Sequence, residues 1–233
     1  MYSILITSYE CYGKGSEFLK ENLLKVFSQT YRPIQCIVSD HSRDNVIEDM
    51  VKTLNPNGVE FIYVRYSENY GSPCHNWNNA LKYATGDYIH YLAMDDPLAD
   101  DVAVQTVVEF MKESNPKWIA VSHTLSHTNE KFTPSWNNDI LNNNSISGPS
   151  AIVLDKSIKD ITLDPQFTWF LDVDWYYRLY KELGKPVILD KIVWINRVHP
   201  HQLTRTVCTS TQYRQDEYNK LIAKYGYPLP KSF

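Results

Sequence analysis

Two adjacent carboxylates, Asp95 and Asp96, follow a run of aromatic, branched and apolar residues that begins at Tyr88. Such a run is typical of a buried β-strand. Burying an ionised carboxylate is costly, so a strand that ends in two of them is expected to deliver them to a cleft. A divalent cation in that cleft would take one or two carboxylates and complete its shell with water and phosphate oxygens. The alternative is that the pair, followed by Pro97, only begins a turn.

The totals of the chain limit the classes of protein to which it can belong. Its 233 residues fit one large α/β domain or two small ones, with a substantial core. A hydrophobic fraction of 43% and a formal net charge of -4 are typical of a soluble globular protein. Because there is no excess of basic residues to neutralise phosphates, nucleic acid is not expected as a partner.

The cysteines and the N-terminus bear on the cellular compartment. No C-x-x-C unit occurs among the four widely spaced cysteines, so reduced thiols are expected rather than a zinc site or disulfides. The chain enters a strand-like run almost at once, without a basic start or a long apolar segment. These features predict a cytoplasmic protein with no signal peptide and no transmembrane segment, and they leave peripheral membrane association open.

Strand and helix patterns alternate over the first hundred residues. Strands are predicted at residues 3–8, 34–39, 61–66 and 88–94, and helices after Ser16, over 46–54 and from Ser72 to about Ala84, with Gly86 as the stop. This alternation predicts a mainly parallel, three-layer α/β sheet. Thr7-Ser8-Tyr9, Asp40 and Asp95-Asp96 would then share one edge of the sheet, where a nucleotide could lie. A dinucleotide fold is not favoured, since no third glycine follows Gly13 and Gly15.

The second half of the chain has weaker patterns. A helix capped by Asp100 or Asp101 is expected to run to about Glu113, followed by a strand at 118–122 and a long polar loop at 123–147. Further on, the patterns predict strands at 151–154 and 186–189 and helices at 173–183 and 211–224. Residues 191–207 are polar and contain two histidines.

The order of these signals resembles an inverting glycosyltransferase of family 2 with the GT-A fold, as far as about Thr206. The motifs that carry the resemblance are Thr7-Ser8-Tyr9, Val38-Ser39-Asp40-His41-Ser42, Asn78 before Ala84-Thr85-Gly86, Asp95-Asp96, Leu171-Asp172 and Arg197-Val198-His199. Each motif is short, and their shared order is the stronger evidence. The chain departs from the family pattern at Ser39, His41 and Leu171, where the family usually has an acid, a small residue and an acid.

The resemblance implies a single GT-A domain over residues 1–233, a three-layer α/β/α sandwich with a mainly parallel central sheet. Residues 1–100 would form the nucleotide-binding half, 101–207 the acceptor-binding half, and 208–233 a C-terminal helix and tail. The implied reaction moves a sugar from a nucleoside-diphosphate sugar to a hydroxyl of a glycan or other acceptor, with inversion.

The family pattern also implies roles for individual residues. Asp96 would hold Mn²⁺ or Mg²⁺, which stabilises the departing diphosphate. Asp95 would reach the ribose, the metal or a water bound to it, and His199 would contact the metal or the diphosphate. Asp172 would be the general base, with Asp174 as its rival. The alternative for Asp172 is that it only caps a helix.

Further residues of the donor site follow from the same resemblance. Tyr9 would stack on the nucleobase, Asp40 would accept a hydrogen bond from it, and Thr7 and Asn78 would belong to the same site. Arg205, and also Arg197, could contact the diphosphate. The acceptor would lie over the loop at 142–150 and against Trp169 and Phe170.

Two other functions remain open on the sequence. One is a sugar nucleotidyltransferase, although its usual glycine-rich, basic signature is not visible after the first strand. The other is a non-catalytic domain of a larger enzyme that binds a nucleotide sugar or glycan. Such a domain would keep the base pocket but would not need Asp172.

Overall fold

The computed structural model describes residues 1–226 and has a mixed α/β architecture around one mostly parallel sheet. Its strands are β1 (Tyr2–Ser8), β2 (Ile34–Asp40), β3 (Glu60–Arg65), β4 (Tyr88–Ala93), β5 (Trp118–Leu125), β6 (Lys131–Phe132), β7 (Ile152–Asp155) and β8 (Val187–Asn196). Its α-helices are α1 (Gly15–Phe27), α2 (Val46–Lys52), α3 (Pro73–Leu81), α4 (Ala103–Ser114), α5 (Leu171–Leu183) and α6 (Thr211–Tyr225).

The sheet order brings the predicted site residues to one edge. The strands lie in the order β3-β2-β1-β4-β7-β5-β6, and β8 pairs with β5. β1 is parallel to both β2 and β4, with Ser8 beside Asp40 and Thr7 beside Ala93. Since all three strands point the same way, their carboxyl ends meet at the same edge of the sheet. The predicted mainly parallel α/β sheet is confirmed.

Burial explains why the central strands are apolar along their whole length. β2 is buried at every residue, as expected of a parallel strand covered on both faces. In α4 the apolar side chains recur at helical spacing, and Val104, Val107, Val108 and Met111 are all buried. The sheet and its helices therefore share one continuous core.

The start of α1 differs from its prediction. Ser16 does not cap this helix, which begins at Gly15 after Lys14 and has no side-chain cap. The backbone of Gly15 lies so close to the preceding turn that a Cβ would sit 1.9 Å from the carbonyl oxygen of Tyr9. Gly15 N–H also donates to the carbonyl of Glu10, so the turn itself begins the helix.

The end of α3 is also earlier than predicted. Ser72 caps it, with its side chain accepting the N–H of His75, but the helix ends at Leu81 and tightens into turns before Ala84. Gly86 is therefore not the helix stop. It is needed for packing, because a Cβ there would lie 2.6 Å from Ser3 Oγ.

The polar stretch at 123–147 is not wholly a loop. β5 continues to Leu125, and the short β6 pairs with it. His123 is buried with its ring centroid 4.2 Å from that of Trp194. β8 also runs past the predicted 186–189 to Asn196, since residues 192–196 pair with β5. These segments belong to the sheet, despite their polar residues, because they pair with neighbouring strands.

The remaining general predictions concern thiols, membrane spans and the tail. All four cysteines are buried and free. Within residues 1–226, no helix combines the length and the apolar character that crossing a membrane requires. The predicted C-terminal helix is α6, and the tail after Gly226 lies outside the described residues.

Candidate active site

A cavity of about 1090 Å³ opens at the carboxyl ends of β1 and β4. Small-molecule sites in proteins commonly have volumes of roughly 300–1,000 Å³, so this one can hold a large ligand. Among the predicted site residues, those that line it are Thr7, Tyr9, Asp95, Asp96, Asp172, His199 and Arg205. Asp40 and Asn78 are not part of its lining.

Asp96 is held at the cavity wall by hydrogen bonds to both of its oxygens. Oδ2 accepts the hydroxyl of Ser150 at 2.7 Å, and Oδ1 accepts the N–H of Arg197 at 3.3 Å. Burial raises the pKa of the Asp96 carboxyl well above its ordinary value, and the neighbouring charge of Asp95 raises it further. The hydrogen bonds from Ser150 and Arg197 and the positive charge of Arg197 oppose this rise in pKa.

Asp95 pairs with a histidine from the far end of the chain. Its Oδ2 lies 2.8 Å from Nε2 of His199, whose side chain is 9% exposed. Nδ1 of the same ring accepts the N–H of His201 at 3.2 Å. Because Nδ1 is an acceptor, the proton lies on Nε2 and is donated to Asp95.

Buried hydrogen bonds fix the turn that carries the two aspartates. Asn22 from α1 is fully buried, and its side-chain amide donates to the carbonyls of Ala93 at 2.9 Å and Asp96 at 3.2 Å. Arg197 donates from Nε to the carbonyl of Asp95 at 3.1 Å, and its Nη2 lies 2.7 Å from the Glu21 carboxylate. Arg197 thus supports the turn, and its guanidinium is directed to α1 rather than to the cavity lining.

The donor set at this turn suits a hard divalent cation. Carboxylate oxygens are the ligands that Mg²⁺ and Mn²⁺ prefer, and such ions usually keep water and phosphate oxygens as well. Across residues 1–226, no cluster of three or more His, Cys, Asp or Glu side chains could hold a metal ion by itself. A metal ion held by Asp95 and Asp96 would therefore need further ligands from water or from a bound molecule.

Asp172 faces the same cavity from the first turn of α5. Its Oδ1 accepts the N–H of Val173 at 2.8 Å, and its Oδ2 accepts the side-chain amide of Asn144 at 2.7 Å. Burial raises the pKa of the Asp172 carboxyl to about 7, although these hydrogen bonds oppose the shift. A carboxylate with this pKa can take and return a proton near neutral pH.

Asp174, the rival to Asp172, has different surroundings. It is fully buried, and its oxygens lie 2.9 Å from Nε of Arg178 and 2.6 Å from Nζ of Lys224. The hydroxyl of Tyr225 also donates to it at 2.7 Å. Asp174 therefore ties α5 to α6 and is not part of the cavity lining.

Asp40 is placed beneath the cavity rather than in its wall. It is fully buried, and Oδ1 accepts the hydroxyls of Ser8 at 3.1 Å and Ser42 at 2.6 Å. Oδ2 accepts the hydroxyl of Tyr63 at 2.6 Å. These partners come from three separate segments, so the carboxylate braces the ends of β1 and β2.

Asn78 is also directed away from the cavity. Its side chain exchanges two hydrogen bonds with the backbone of Leu163, at 2.7 Å and 3.1 Å. The neighbouring Asn76 and Trp77 line the cavity instead. Asn78 therefore anchors the segment that leads to α5.

Aromatic rings gather at the β1 and β2 end of the cavity, which Tyr9 also lines. The ring of His41 stacks on that of Tyr70, with centroids 5.0 Å apart and planes 17° apart. The guanidinium of Arg43 lies 5.1 Å from the centroid of Tyr70. A flat ring could be held here by stacking, and Arg43 could supply hydrogen bonds to its edge.

The segment after β8 covers another side of the cavity. Arg205 lies in a short 3₁₀ helix, Leu203–Arg205, and lines the cavity. His201 stacks on Tyr12 with ring centroids 5.1 Å apart. Arg205 therefore adds a positively charged side chain to the cavity wall.

Trp169 and Phe170 lie on the side of the cavity that carries Asp172. Both are half-buried, and they lie directly before α5. Asn142, Asn144 and residues 147–149 of the polar loop contribute to the same side. The aromatic residues and the loop that sequence analysis assigned to an acceptor are therefore brought together.

Sequence analysis placed the 142–150 loop at the acceptor but did not predict the hydrogen bonds by which two of its residues hold carboxylates. Asn144 and Ser150 hold the two key carboxylates, and Asn22 holds the turn between β4 and α4. None stands in a recognisable motif, because each acts across a long sequence separation. His41 was noted only as a departure, yet it lines the cavity and stacks on Tyr70.

Comparison with known proteins adds a family and a fold. The family model described as glycosyl transferase family 2 matches residues 3–171. No curated protein matches the chain in sequence. Among solved structures, S. aureus TarS aligns with a TM-score of 0.68 at 18% identity, covering 85% of this chain and 37% of TarS.

Two other similar structures are complexes with nucleotide sugars. A 1-349 fragment of S. aureus TarS in complex with UDP-GlcNAc aligns with a TM-score of 0.68 at 16% identity, over 85% of this chain and 58% of the fragment. The mannosyltransferase PcManGT from Pyrobaculum calidifontis, in complex with GDP-Man and Mn²⁺, aligns with a TM-score of 0.63 at 12% identity, over 84% of this chain and 56% of PcManGT.

Sequence identity and coverage determine whether these matches establish the fold or the family. At such low identity the solved structures establish the fold, which is the GT-A fold of glycosyltransferases. The chain spans between about a third and three-fifths of the length of these structures. The family model matches well over half of the chain. The chain therefore belongs to glycosyl transferase family 2, a family of glycosyltransferases, and has the GT-A fold.

Proposed function

We propose that this chain is an inverting, metal-dependent glycosyltransferase that moves a sugar from a nucleoside-diphosphate sugar to a hydroxyl. The observation that carries the proposal is that Asp172 and the Asp95–Asp96 pair line one cavity. A base and a diphosphate site are the two groups that a single displacement at a sugar carbon requires. The acceptor is proposed to be a glycan or another molecule with a free hydroxyl.

In this mechanism Asp172 is the general base. It accepts the proton of the acceptor hydroxyl while that oxygen forms a bond to the anomeric carbon. The bond from that carbon to the diphosphate breaks at the opposite face, and its electron pair leaves with the diphosphate. One displacement without a covalent intermediate inverts the configuration. The Val173 and Asn144 hydrogen bonds keep the carboxylate oriented during this step.

Asp96 and Asp95 are proposed to hold Mn²⁺ or Mg²⁺ together with the diphosphate. The metal would act as a Lewis acid that stabilises negative charge on the leaving group. His199 orients Asp95 through the 2.8 Å hydrogen bond, and Ser150 orients Asp96. PcManGT, which shares the fold, is described in complex with Mn²⁺, and this supports the proposal.

The donor nucleotide is proposed to lie between the end of β1 and the aromatic residues at His41 and Tyr70. Thr7 and Tyr9 line this part of the cavity, and Arg205, which also lines the cavity, would face the diphosphate. Asp40 would act indirectly, by bracing the strand ends through Ser8 and Ser42. Asn78 would likewise act through the Leu163 segment that it anchors.

We also propose that the two halves of the chain bind different substrates. Residues 1–100 would bind the nucleotide, since Tyr9, His41 and the Asp95–Asp96 turn belong to them. Residues 101–207 would bind the acceptor, since Asn144 and Asp172 belong to them. All of these residues line one cavity, which supports a single catalytic unit.

Thermal unfolding in the presence of nucleotides tests this proposal. We expect UDP or GDP to raise the melting temperature only when Mn²⁺ or Mg²⁺ is present, because a ligand that binds the folded state stabilises it. CDP, dTDP and each metal alone are the comparison samples. If no nucleotide raised the melting temperature under any metal condition, the cavity would not be a donor site.

A further inference from the structure

Helix α6 lies beyond the residues matched by the family model and contacts the segment before α5. Glu217 of α6 is 2% exposed. Its carboxylate accepts the backbone N–H groups of Thr168 at 2.8 Å, Trp169 at 2.6 Å and Phe170 at 3.1 Å. Three successive N–H groups therefore converge on one buried carboxylate from a distant part of the chain. Hydrogen bonds of this charged kind are stronger than neutral ones.

These donors lie at and directly before the N-terminus of α5, which has no side-chain cap of its own. α5 begins at Leu171, and the residue before it, Phe170, has no side chain that could accept a backbone N–H. Helix N-termini leave donors that need a partner, and Ser, Thr, Asp or Asn usually provides it locally. Here Glu217, from another helix, accepts the N–H of Phe170 at the N-cap position and the N–H groups of the two residues before it. The position of the first turn of α5 thus depends on α6.

A second set of contacts holds the other side of that first turn. Lys224 Nζ lies 2.6 Å from Asp174 and 2.7 Å from Asp164, and the hydroxyl of Tyr225 donates to Asp174 at 2.7 Å. Asp172 lies between the two anchored points, at Phe170 and Asp174. The Asp172 carboxylate accepts hydrogen bonds from Val173 and Asn144, and Asp172 lines the cavity.

We propose that Glu217 is a positioning residue for glycosyl transfer, holding Asp172 and Trp169 at the acceptor side of the cavity; this inference rests on the proposed function. Glu217 touches no reacting atom and acts through the backbone at Thr168, Trp169 and Phe170. A displacement of about 1 Å at a catalytic group can lower a rate about a hundredfold. The effect should therefore appear at Asp172 itself and not only in stability.

Glu217→Gln tests the proposal, since it keeps the shape but removes the negative charge and leaves one oxygen in place of two for the three backbone donors. We expect turnover of UDP-GlcNAc or GDP-Man, whichever the wild type uses, to fall about tenfold to a hundredfold. The nucleotide that stabilises the wild type should bind as before, because Glu217 is not part of the cavity lining. The matched control is Asp216→Asn, an exposed carboxylate on the same helix, which should behave as wild type.

The pH titration of the Asp172 carboxyl, followed by NMR, tests the role of Glu217 without any measurement of enzyme activity. In protein labelled with ¹³C at the aspartate carboxyl, the signal of Asp172 is identified by its loss in Asp172→Asn and is then followed against pH. In wild type it should titrate near pH 7, and in Glu217→Gln it should move toward the ordinary value as the site opens to water. Glu217→Ala should show the larger change if it folds; if it does not, the Gln variant decides.

Failure of the positioning role of Glu217 and failure of the proposed glycosyltransferase function would give different results. If Glu217→Gln only lowered the melting temperature, while turnover and the Asp172 titration stayed as in wild type, Glu217 would be a structural residue and the inference would be wrong. If wild type used neither sugar nucleotide, the proposed function would lose support, and the Asp172 titration would still decide whether Glu217 positions that carboxylate.

Discussion

Asp172→Asn is expected to lower turnover about a thousandfold while the donor nucleotide still binds, because general base catalysis contributes typically 10²–10⁴-fold. Asparagine fills the same space and keeps an oxygen for the N–H of Val173, but it cannot accept a proton. The nucleotide should lie at the β1 and β2 end of the cavity, apart from the Asp172 side, so its affinity should change little. Steady-state kinetics and calorimetric titration of nucleotide measure the two effects.

The pH dependence of wild-type turnover should report the same carboxyl. Burial raises the pKa of Asp172 to about 7, so the base is protonated and inactive in acid. Turnover should therefore rise with pH through about 7 and level off above it. The residual turnover of Asp172→Asn should lack this rise.

The contribution of Asp172 to folding stability should fall as the pH rises, whereas turnover should increase. Because the folded pKa lies above the ordinary value of 3.8, the folded protein binds this proton more tightly than the unfolded chain does. Its stabilising effect is present in acid and is lost as the pH rises from about 4 to about 7. Asp172→Asn removes this dependence. Its melting temperature should therefore fall less than that of the wild type as the pH rises from about 4 to about 7.

Asp160→Asn is the matched control for Asp172, since Asp160 is exposed on the surface. It should retain wild-type turnover. If Asp172→Asn were as active as this control, Asp172 would not be the base. If Asp174→Asn instead removed the rise of turnover with pH, the base would have been assigned to the wrong carboxylate.

Asp96→Asn is expected to remove the dependence of nucleotide binding on metal and to lower turnover about a hundredfold or more, since Lewis-acid stabilisation contributes several kcal/mol. The amide keeps an oxygen for the hydroxyl of Ser150, so the fold should persist. It removes a negative charge whose burial is unfavourable in the absence of a cation. The melting temperature without metal should therefore be equal to or above that of wild type.

The measurement for Asp96 is nucleotide titration with and without Mn²⁺, on the variant and on Asp100→Asn. Asp100 is an exposed carboxylate near the same turn that accepts the N–H of Val102, and asparagine can replace it there. The control should keep the wild-type response to metal. If Asp96→Asn kept it as well, Asp96 would not be a metal ligand.

The parallel core was predictable because its signals are local. Apolar runs at β1, β2 and β4, each followed by polar residues, specify strands that end at one edge of the sheet. The order of the family motifs then predicted the family itself. The helix start at Ser72 was equally local, since a capping residue followed by proline requires no distant partner.

The orientation of side chains within that frame was not predictable. Asp40 stands where a donor-site acid is expected, but Ser8, Ser42 and Tyr63 surround its carboxylate beneath the cavity. Asp172 and Asp174 are two residues apart, and only the position of Lys224 and Tyr225 shows which one is tied to α6. These arrangements depend on contacts between residues far apart in sequence, which spacing does not encode.

The configuration of the released sugar tests the central claim of inverting transfer most directly. With an α-linked donor such as UDP-GlcNAc or GDP-Man and water as a slow acceptor, proton NMR can follow the anomeric signal before it equilibrates. A single displacement predicts that the β-anomer appears first. Initial release of the α-anomer would contradict a single displacement with Asp172 as the base.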